Sequence, residues 1–313
     1  MKRFKIVFMG TPEFAVPSLK ALLDGTDEIV SVVTQPDRRR GRGKKLSPSP
    51  VKTLALERGV PILQPEKARD PGFIDEIREI SPDFLVVAAY GQILSQELLD
   101  APKIMPINVH GSLLPKYRGA APIQWAIMAC ETETGITIMK MDAGMDTGPM
   151  LMQESLKIGG DETFGELYKR MAKTGASLLL KALDALREDN LPPIVQPEKG
   201  ISYAPPIKPE MTRIDWSLPA KDLSCLMRAL DPKPGAFTTM EGKKIRLFSP
   251  AVQDNKSVSE SPGTVLKAGK EGVLISTGKG LLLAKEILYP GKRRMKVKDF
   301  LMGNKIPEGL VFK

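Results

Sequence analysis

Short apolar runs alternate with segments of helical spacing over roughly the first 200 residues. The apolar runs are rich in Val, Ile and Leu and have the length of strands that are covered on both faces. Between them, apolar residues recur three and four positions apart, which predicts helices. The predicted strands are Lys5–Met9, Glu28–Thr34, Asp83–Ala89, Ile104–His110, Gly135–Lys140 and Met150–Ile158. The predicted helices are Glu13–Leu23, Val51–Arg58, Ile74–Ile80, Ala120–Ala129 and Phe164–Arg187. This alternation predicts an α/β domain with a doubly wound, mostly parallel, Rossmann-like sheet.

The pattern changes at a proline-rich stretch. Six prolines lie between residues 190 and 209, and proline fixes φ and removes a backbone donor, so an extended segment is expected. Beyond it, one helix near Ala220–Leu230 is followed by short strands separated by Gly and Pro, typical of a small OB-like β-barrel. The predicted strands are Lys244–Phe248, Gly263–Lys267, Gly272–Ser276, Leu281–Tyr289 and Leu310–Phe312. We therefore predict a catalytic domain at 1–189, an interdomain linker at 190–208 and a second domain at 209–313.

Composition narrows the class of protein. The longest apolar runs are strand-sized, so no membrane span is predicted, and the apolar stretch at the N-terminus is too short for a secretory signal. Cys130 and Cys225 are the only cysteines, and each is interpreted as a small buried residue rather than a bridge partner. We expect a monomer in the reducing cytoplasm.

The net charge of +9 is unevenly distributed. Residues 1–206 hold 26 Lys and Arg against 26 Asp and Glu, whereas residues 207–313 hold 20 against 11. A positive charge confined to the last third indicates a polyanionic partner, with nucleic acid as the leading candidate and a merely basic, well-solvated domain as the alternative.

The candidate chemistry centres on the single histidine of the chain, His110. It ends a predicted strand, where active sites of open α/β sheets lie, and Asn108 projects from the same strand face. Asp142 and Asp146 follow in a second polar loop. In acyl transfer to an amine the substrate supplies the nucleophile, so the protein must stabilise an oxyanion and manage a proton. Asn108 suits the first task and His110 either one, while an aspartate would orient the histidine.

The same residues also fit structural roles. A histidine at a strand end is often simply hydrogen-bonded, and Asn108 or either aspartate could serve a turn. A dinucleotide-binding G-x-G-x-x-G motif is absent after the first strand, and one His with two distant Cys provides no metal cluster. Chemistry alone therefore predicts a site here without specifying its reaction.

The residues resemble the signature of formyltransferases that use 10-formyltetrahydrofolate. Asn108, the run from His110 to Pro115, Gly119, and Asp146 within Asp-Ala-Gly-Met-Asp-Thr-Gly carry the resemblance. Phe8–Pro12, Gln35–Asp37, Ala88–Gln92 and the basic last third extend it over the whole length, to the members of the family that formylate a charged tRNA. The resemblance implies transfer of a formyl group to the α-amino group of methionine on the initiator tRNA.

The resemblance also implies site residues. Asn108 and His110 would stabilise the oxyanion and Asp146 would support His110, whether His110 takes the proton or only polarises the carbonyl. The folate would be bordered by Tyr90, Gln92, Leu94, Ser112, Leu113, Leu114 and Pro115. The basic run 38–45 would insert at the tRNA acceptor end, with Arg42 as the matching arginine. The candidate tRNA contacts are Arg38, Arg42, Lys44, Lys45, Lys243, Lys244, Arg246, Lys292, Arg293, Arg294 and Lys296.

Three alternatives remain open. The acceptor could be a glycinamide ribonucleotide, although those enzymes usually lack a C-terminal domain. It could be an amino-sugar nucleotide, whose enzymes have no need of nine surplus positive charges. A binding protein with a disabled site is the third, and the complete Asn, His and Asp set is evidence against it.

Overall fold

The computed structural model describes residues 3–40, 45–254 and 259–313. The chain forms two compact units. The first comprises Met1–Gly119, Gly135–Leu156 and Tyr168–Tyr203, and the second comprises Ala120–Thr134, Lys157–Leu167 and Ala204–Lys313. Within the described residues, no helix combines the length and apolarity needed to cross a membrane.

A seven-stranded sheet organises the first unit, in the order β5-β2-β1-β6-β7-β8-β9. Strands β1, β2, β5, β6 and β7 run parallel, and β8 is antiparallel to β7. The strands up to β9 are β1 (Lys5–Gly10), β2 (Glu28–Val33), β3 (Arg38–Arg40), β4 (Lys45–Ser47), β5 (Ile62–Leu63), β6 (Phe84–Ala88), β7 (Met105–His110), β8 (Glu133–Lys140) and β9 (Met150–Lys157). The predicted fold class is confirmed, because the apolar runs form a sheet that is mostly parallel and Rossmann-like.

Helices follow the strands as the alternation predicts. They are α1 (Val16–Leu23, after a 3-10 turn at Glu13–Ala15), α2 (Pro50–Glu57), α3 (Pro71–Ile80), α4 (Gln96–Leu99), α5 (Pro122–Met128) and α6 (Phe164–Arg187). Helix α2 shows why one begins where it does: the Ser49 side chain accepts a hydrogen bond from the amide of Lys52, and a proline occupies the first turn. All five residues of β6 are buried, consistent with a central strand covered on both faces.

The second unit contains a curled antiparallel sheet that forms a half-barrel. Its strand order is β10-β11-β14-β13-β12, and β15 pairs with β14. The elements are α7 (Ala220–Ala229), β10 (Phe237–Met240), β11 (Lys243–Asp254), β12 (Val265–Gly269), β13 (Gly272–Ser276), β14 (Leu281–Leu288), β15 (Met295–Lys296) and α8 (Val297–Leu301). Buried residues of α7, including Leu223 and Met227, share one apolar core with the inward-facing residues of the sheet.

Several local predictions are wrong. Alternation along a strand would place Arg294, Lys296 and Lys298 on one face, but the run does not form one strand: β15 is two residues long and α8 begins at Val297. Leu310–Phe312 makes only an isolated bridge through Val311. Arginines 38–40 were expected in a loop, whereas β3 pairs with β4 in an antiparallel hairpin whose connecting residues lie outside the described part.

The interpretation of the cysteines is also wrong. Cys130 follows α5 and Cys225 lies in α7, and the two form a disulfide across a Cα–Cα distance of 5.6 Å. They are 95 positions apart in sequence, so spacing along the chain carried no sign that α5 packs against α7.

Helix α6 lies close to strands β7 and β8 at Gly175. A Cβ atom there would lie 2.9 Å from Cγ1 of Val109, in β7, and less than 4 Å from two carbon atoms of Ile136, in β8. A larger residue would therefore push the helix away from the strand that ends in His110.

We predict that Gly175→Leu lowers the free energy of unfolding by about 1–3 kcal/mol, the usual cost of overpacking a core. Gly72→Leu is the matched control, since Gly72 also lies in a helix but has open space around its Cβ position. The control should remain within about 1 kcal/mol of the original protein. Urea unfolding followed by circular dichroism measures both, and equal midpoints for the two variants would contradict the proposed close approach.

Candidate active site

Strand β7 carries two of the predicted catalytic residues at its carboxyl end. Asn108 and His110 are two residues apart and so project from one face, as predicted. His110 is 5% exposed and its Cα pairs with that of Thr137 in β8. Its Nε2 atom lies 3.1 Å from the carbonyl oxygen of Tyr117, which can only accept a hydrogen bond.

Asp146 meets both of these residues. Its Oδ1 atom accepts a hydrogen bond from Nδ2 of Asn108 at 3.3 Å, and its Oδ2 atom lies 3.6 Å from Nδ1 of His110. The amide of Gly119 donates to the same Oδ2 atom at 2.8 Å. The three predicted catalytic side chains are therefore assembled into one polar cluster.

Asp142 is excluded from this cluster. Its Oδ1 atom accepts hydrogen bonds from the amide of Gly144 at 3.1 Å and the hydroxyl of Thr147 at 2.7 Å, which close a turn. The sequence left Asp142 and Asp146 nearly equivalent on physical grounds. Their contacts distinguish them, because only Asp146 meets Asn108 and His110.

The segment that follows His110 is held by hydrogen bonds from side chains of β8 and β9. Thr137 Oγ1 donates to the carbonyl of Ser112 at 2.7 Å and accepts from the amide of Leu114 at 3.1 Å. Gln153 Nε2 donates to the carbonyl of Leu114 at 3.0 Å. Ser112 is fully buried and its hydroxyl donates to the carbonyl of Lys116 at 2.6 Å. Ser112 therefore shapes the loop and does not present a nucleophile.

The side chains predicted to border the folate differ in accessibility. Tyr90 and Leu94 are buried in the core, and Leu114 and Ser112 are buried in their loop. Gln92 is half-buried; its side chain accepts from the amide of Ala68 and donates to the carbonyl of Glu66. Leu113 and Pro115 are half-buried. In the first segment, Ile93 lies between two of the predicted residues and is 86% exposed.

Tyr90 supports the site from within the core. Burial raises the pKa of Tyr90 to about 12, so its hydroxyl stays neutral at physiological pH. Its carbonyl accepts hydrogen bonds from Thr11 Oγ1 at 2.9 Å and from Gln35 Nε2 at 3.4 Å. These contacts join the loops that follow β1, β2 and β6 at one edge of the sheet.

The basic run after β2 is described in part. Arg38 donates from Nη2 to Oε1 of Gln35 at 3.2 Å, which ties the start of the hairpin to the sheet edge. A hydrogen bond from Lys52 lowers the pKa of the neighbouring Asp37, which keeps it ionised. Lys45 begins β4, whereas Arg42 and Lys44 lie outside the described residues.

Two of the predicted lysines in the second unit flank one aromatic ring. The Nζ atoms of Lys243 and Lys292 lie 5.5 Å and 6.0 Å from the ring centroid of Tyr289, which is half-buried. A hydrogen bond to Tyr289 raises the pKa of Lys243. Tyr289 directly follows β14 and was not in the predicted set, although a tyrosine just before a basic run is visible in the sequence.

Arg294 is engaged by carboxylates. Its Nη1 and Nη2 atoms donate to the two oxygens of Asp231 at 2.6 and 3.0 Å, and its Nε atom donates to Glu286 at 2.6 Å. Burial acts to lower the pKa of Arg294, but the hydrogen bonds to these two carboxylates outweigh it and raise the pKa. Asp231 is only 4% exposed, whereas the Arg294 side chain is 33% exposed, so the carboxylate is interior and the guanidinium lies at the surface margin.

The other predicted cations of this unit occupy two regions. Lys244 lies at the start of β11 with its Nζ atom 3.5 Å from the ring centroid of Phe237, and Arg246 is half-buried two residues later. Arg293 and Lys296 are exposed on either side of Arg294. The described cations that remain exposed are therefore Lys243, Lys244, Lys292, Arg293 and Lys296, together with others outside the predicted set.

Family models match both parts of the chain. The model described as formyl transferase matches residues 3–183, and the model described as formyl transferase, C-terminal domain, matches residues 206–305. The methionyl-tRNA formyltransferase of Desulfotalea psychrophila is 48% identical over 100% of this chain and 96% of its own length. That of Caldanaerobacter subterraneus is 47% identical over 99% of this chain and 100% of its own length.

Solved structures share the fold at lower identity. An N-formyltransferase from Helicobacter canadensis, in complex with folinic acid and dTDP-3-aminofucose, has a TM-score of 0.69 at 19% identity and covers 90% of this chain and 98% of its own. HypX from Aquifex aeolicus, in complex with tetrahydrofolic acid, has a TM-score of 0.63 at 19% identity and covers 96% of this chain and 47% of its own. At such identities the likeness shows the fold alone. The full-length relatives and the two matching models show that the chain belongs to the formyl transferase family, among its methionyl-tRNA formyltransferases.

Proposed function

We propose that the protein transfers the formyl group of 10-formyltetrahydrofolate to the α-amino group of methionine on the initiator tRNA. The observation that carries the proposal is the convergence of Asn108, His110 and Asp146 at the carboxyl end of β7, in a chain of this family. The hydroxyl of Ser112, in the loop after His110, is buried and donates to the carbonyl of Lys116, which fits a reaction whose nucleophile comes from the substrate.

The cluster suits oxyanion stabilisation. When bound, the folate supplies the formyl carbon, and negative charge develops on the carbonyl oxygen during attack by the amine. Asn108 Nδ2 has two protons, of which one is directed at Asp146 and the other is available to that oxygen. His110 is the second group proposed to stabilise that oxygen, and its ring is oriented by the Tyr117 carbonyl beside Nε2 and the Asp146 carboxylate beside Nδ1. A free α-amino group has a pKa near 8, so much of it is neutral and nucleophilic without a strong base.

The folate is bordered by the loops after β6 and β7. Ile93 and the half-buried Gln92, Leu113 and Pro115 offer accessible side chains, and the buried members of the predicted set hold the loops in shape. The described residues contain no cluster of three potential metal ligands among His, Cys, Asp and Glu. The proposed stabilisation of charge uses hydrogen-bond donors of the chain.

The acceptor is tested directly. The protein is incubated with 10-formyltetrahydrofolate and, in separate reactions, methionyl initiator tRNA, methionyl elongator tRNA and an amino-sugar nucleotide. We expect formylation of the initiator species, detected as formylmethionine after hydrolysis of the aminoacyl bond. Formylation of the sugar nucleotide alone would contradict the proposal.

The catalytic roles predict a contrast between two aspartates of one loop. Asp146→Asn should lower kcat by about 10²–10⁴-fold, because Asn108 and Gly119 donate to different oxygens of the carboxylate, and in asparagine one of these donors would face an amide N–H. His110→Ala should lower kcat by about 10²–10⁴-fold while tRNA affinity is retained. Asp142→Asn is the control, because asparagine keeps a side-chain oxygen that can accept from the amide of Gly144 and the hydroxyl of Thr147.

Steady-state turnover of all three variants provides the measurement. The Asp142 variant should remain close to the original protein. Equal losses in the Asp142 and Asp146 variants would show that the loop as a whole, rather than the Asp146 carboxylate, matters. Unchanged turnover after removal of His110 would remove it from the mechanism.

The exposed lysines beside Tyr289 predict an electrostatic contact with tRNA phosphates. Replacing Lys243 and Lys292 with alanine should reduce the slope of log affinity against log salt by about 1–2, because each phosphate contact contributes about 0.7–0.9. Lys267→Ala combined with Lys270→Ala is the charge-matched control, since these exposed lysines lie on β12 and just after it, and β12 is at the opposite end of the sheet order from β10. Filter binding over a range of KCl concentrations gives the slopes. Equal slopes for the Lys243 and Lys292 double variant and the original protein would mean that these two lysines do not contact the RNA.

A further inference from the structure

The predicted linker contains a buried polar residue with a specific set of partners. In the described stretch 192–200, every residue is exposed except Gln196, which is 8% exposed. Its Nε2 atom donates to the carbonyl oxygens of Asp146 at 2.8 Å and Gly148 at 2.7 Å. Its Oε1 atom accepts from Nε and Nη2 of Arg118 at 3.1 and 2.8 Å. One buried, hydrogen-bonded side chain among exposed neighbours indicates that this stretch is attached to the first unit at Gln196 and is not a free linker.

The main chain around Gln196 crosses both catalytic loops. Ile194 and Met150 exchange two backbone hydrogen bonds, at 2.7 and 2.8 Å. Ser202 accepts from the amide of Tyr117 through its hydroxyl at 2.9 Å and from the amide of Arg118 through its carbonyl at 2.9 Å. We refer to residues 194–202 as the crossing segment. It ties the loop that carries Asp146 to the loop that follows His110.

The contacts of Gln196 address a conformational problem at Asp146. Asp146 has φ of +52°, in the left-handed region that residues with a side chain occupy at a cost. Such a conformation persists only where surrounding contacts hold it. The carbonyl of Asp146 is held by Gln196, while its carboxylate is held by Asn108 and Gly119.

Arg118 completes the connection. It lies between Tyr117, whose carbonyl meets Nε2 of His110, and Gly119, whose amide binds Asp146. The Arg118 side chain is 7% exposed and reaches Gln196, which in turn reaches the backbone of Asp146. The hydrogen bonds thus form a closed path through Arg118, Gln196, Asp146 and Gly119, and His110 joins it through the carbonyl of Tyr117.

We propose that Gln196 is a positioning residue for formyl transfer, acting through the backbone of Asp146 to keep its carboxylate against Asn108 and His110. The inference rests on the proposed function. The Gln196 side chain is buried and its hydrogen bonds hold the backbone of Asp146 and Gly148, so the expected effect of replacing it is on turnover. Displacing a catalytic group by about 1 Å can cost about 100-fold in rate.

Gln196→Glu is the sharpest test. The glutamate can still accept from Arg118, but its carboxylate cannot donate to the carbonyls of Asp146 and Gly148. We expect kcat to fall by about 10- to 100-fold with KM for folate and tRNA unchanged. Gln196→Met, which keeps the length and removes every hydrogen bond, should lose at least as much. Glu198→Gln, an exposed change in the crossing segment, is the matched control and should leave kcat unchanged.

A double-mutant cycle separates positioning from a general structural effect. If Gln196 acts through Asp146, its replacement in an Asp146→Asn background should cost less than about threefold, because the carboxylate it positions is already gone. Additive losses, or unchanged kcat in both Gln196 variants, would overturn the inference. Thermal unfolding of each variant identifies loss of the fold, and the methionine variant serves if the glutamate variant does not fold.

The single histidine provides a readout that is independent of turnover. The imidazole signals in a nitrogen-15 correlation spectrum arise from His110 alone in the untagged protein. They should shift in Gln196→Glu and Gln196→Met but not in Glu198→Gln. Unshifted signals would overturn the inference even if turnover fell. If the original protein fails to formylate any acceptor, the proposed function fails, while these signals still test whether Gln196 controls the His110 environment.

Discussion

The carboxylate of Asp146 is the interaction on which the arrangement of the candidate site depends. It lies against Asn108 and His110 on β7 and also accepts the amide of Gly119. These partners come from a strand and from the loop after it, and Asp146 itself lies in a loop 27 positions beyond Gly119, so one side chain joins three parts of the chain. Oxyanion stabilisation requires donors that are already oriented before charge develops, because reorientation during the reaction would cost much of the benefit. A rigid polar cluster of this kind provides that condition.

The sheet explains why those parts meet. In an open α/β sheet the carboxyl ends of parallel strands share one edge, so β1, β2, β6 and β7 bring their following loops together. Strand β8, antiparallel to β7, contributes differently: Thr137 and the neighbouring Gln153 of β9 hold the loop after His110 from the side. The buried residues among those predicted to border the folate also help to hold these loops in place. Tyr90 and Ser112 make contacts that shape the loops, which leaves Leu113, Pro115 and Ile93 as the accessible apolar side chains.

The sequence predicted the elements whose pattern is long and regular. The buried strands β1, β6 and β7 and helix α6 were found within a residue or two of their observed bounds, because each repeats an apolar period over several turns or residues. The two-residue strands β5 and β15, the four-residue helix α4 and the short strands of the basic hairpin were not found, since so few residues carry no period. In the site, the family resemblance supplied Asp146, and local spacing did not separate it from Asp142. The separation depends on contacts with Asn108, 38 positions away, which no local pattern contains.

Long-range contacts also decide what the basic residues and the prolines mean. Arg294 belongs to the densest run of cations in the last third of the sequence, yet Asp231 and Glu286 engage its guanidinium from 63 and 8 positions away. Its neighbours Lys292 and Arg293 remain exposed, so formal charge along a run overstates the charge that can meet a phosphate.

The proline-rich stretch presents the same problem in reverse: its composition is that of a spacer, but Gln196 within it is buried and bound to the backbone of Asp146. Proline fixes an extended path without choosing what that path touches. Because an extended segment points alternate side chains to opposite sides, a single polar residue can face a catalytic loop while its neighbours face solvent. In this chain the connection that composition marks as peripheral is therefore part of the support of the candidate active site.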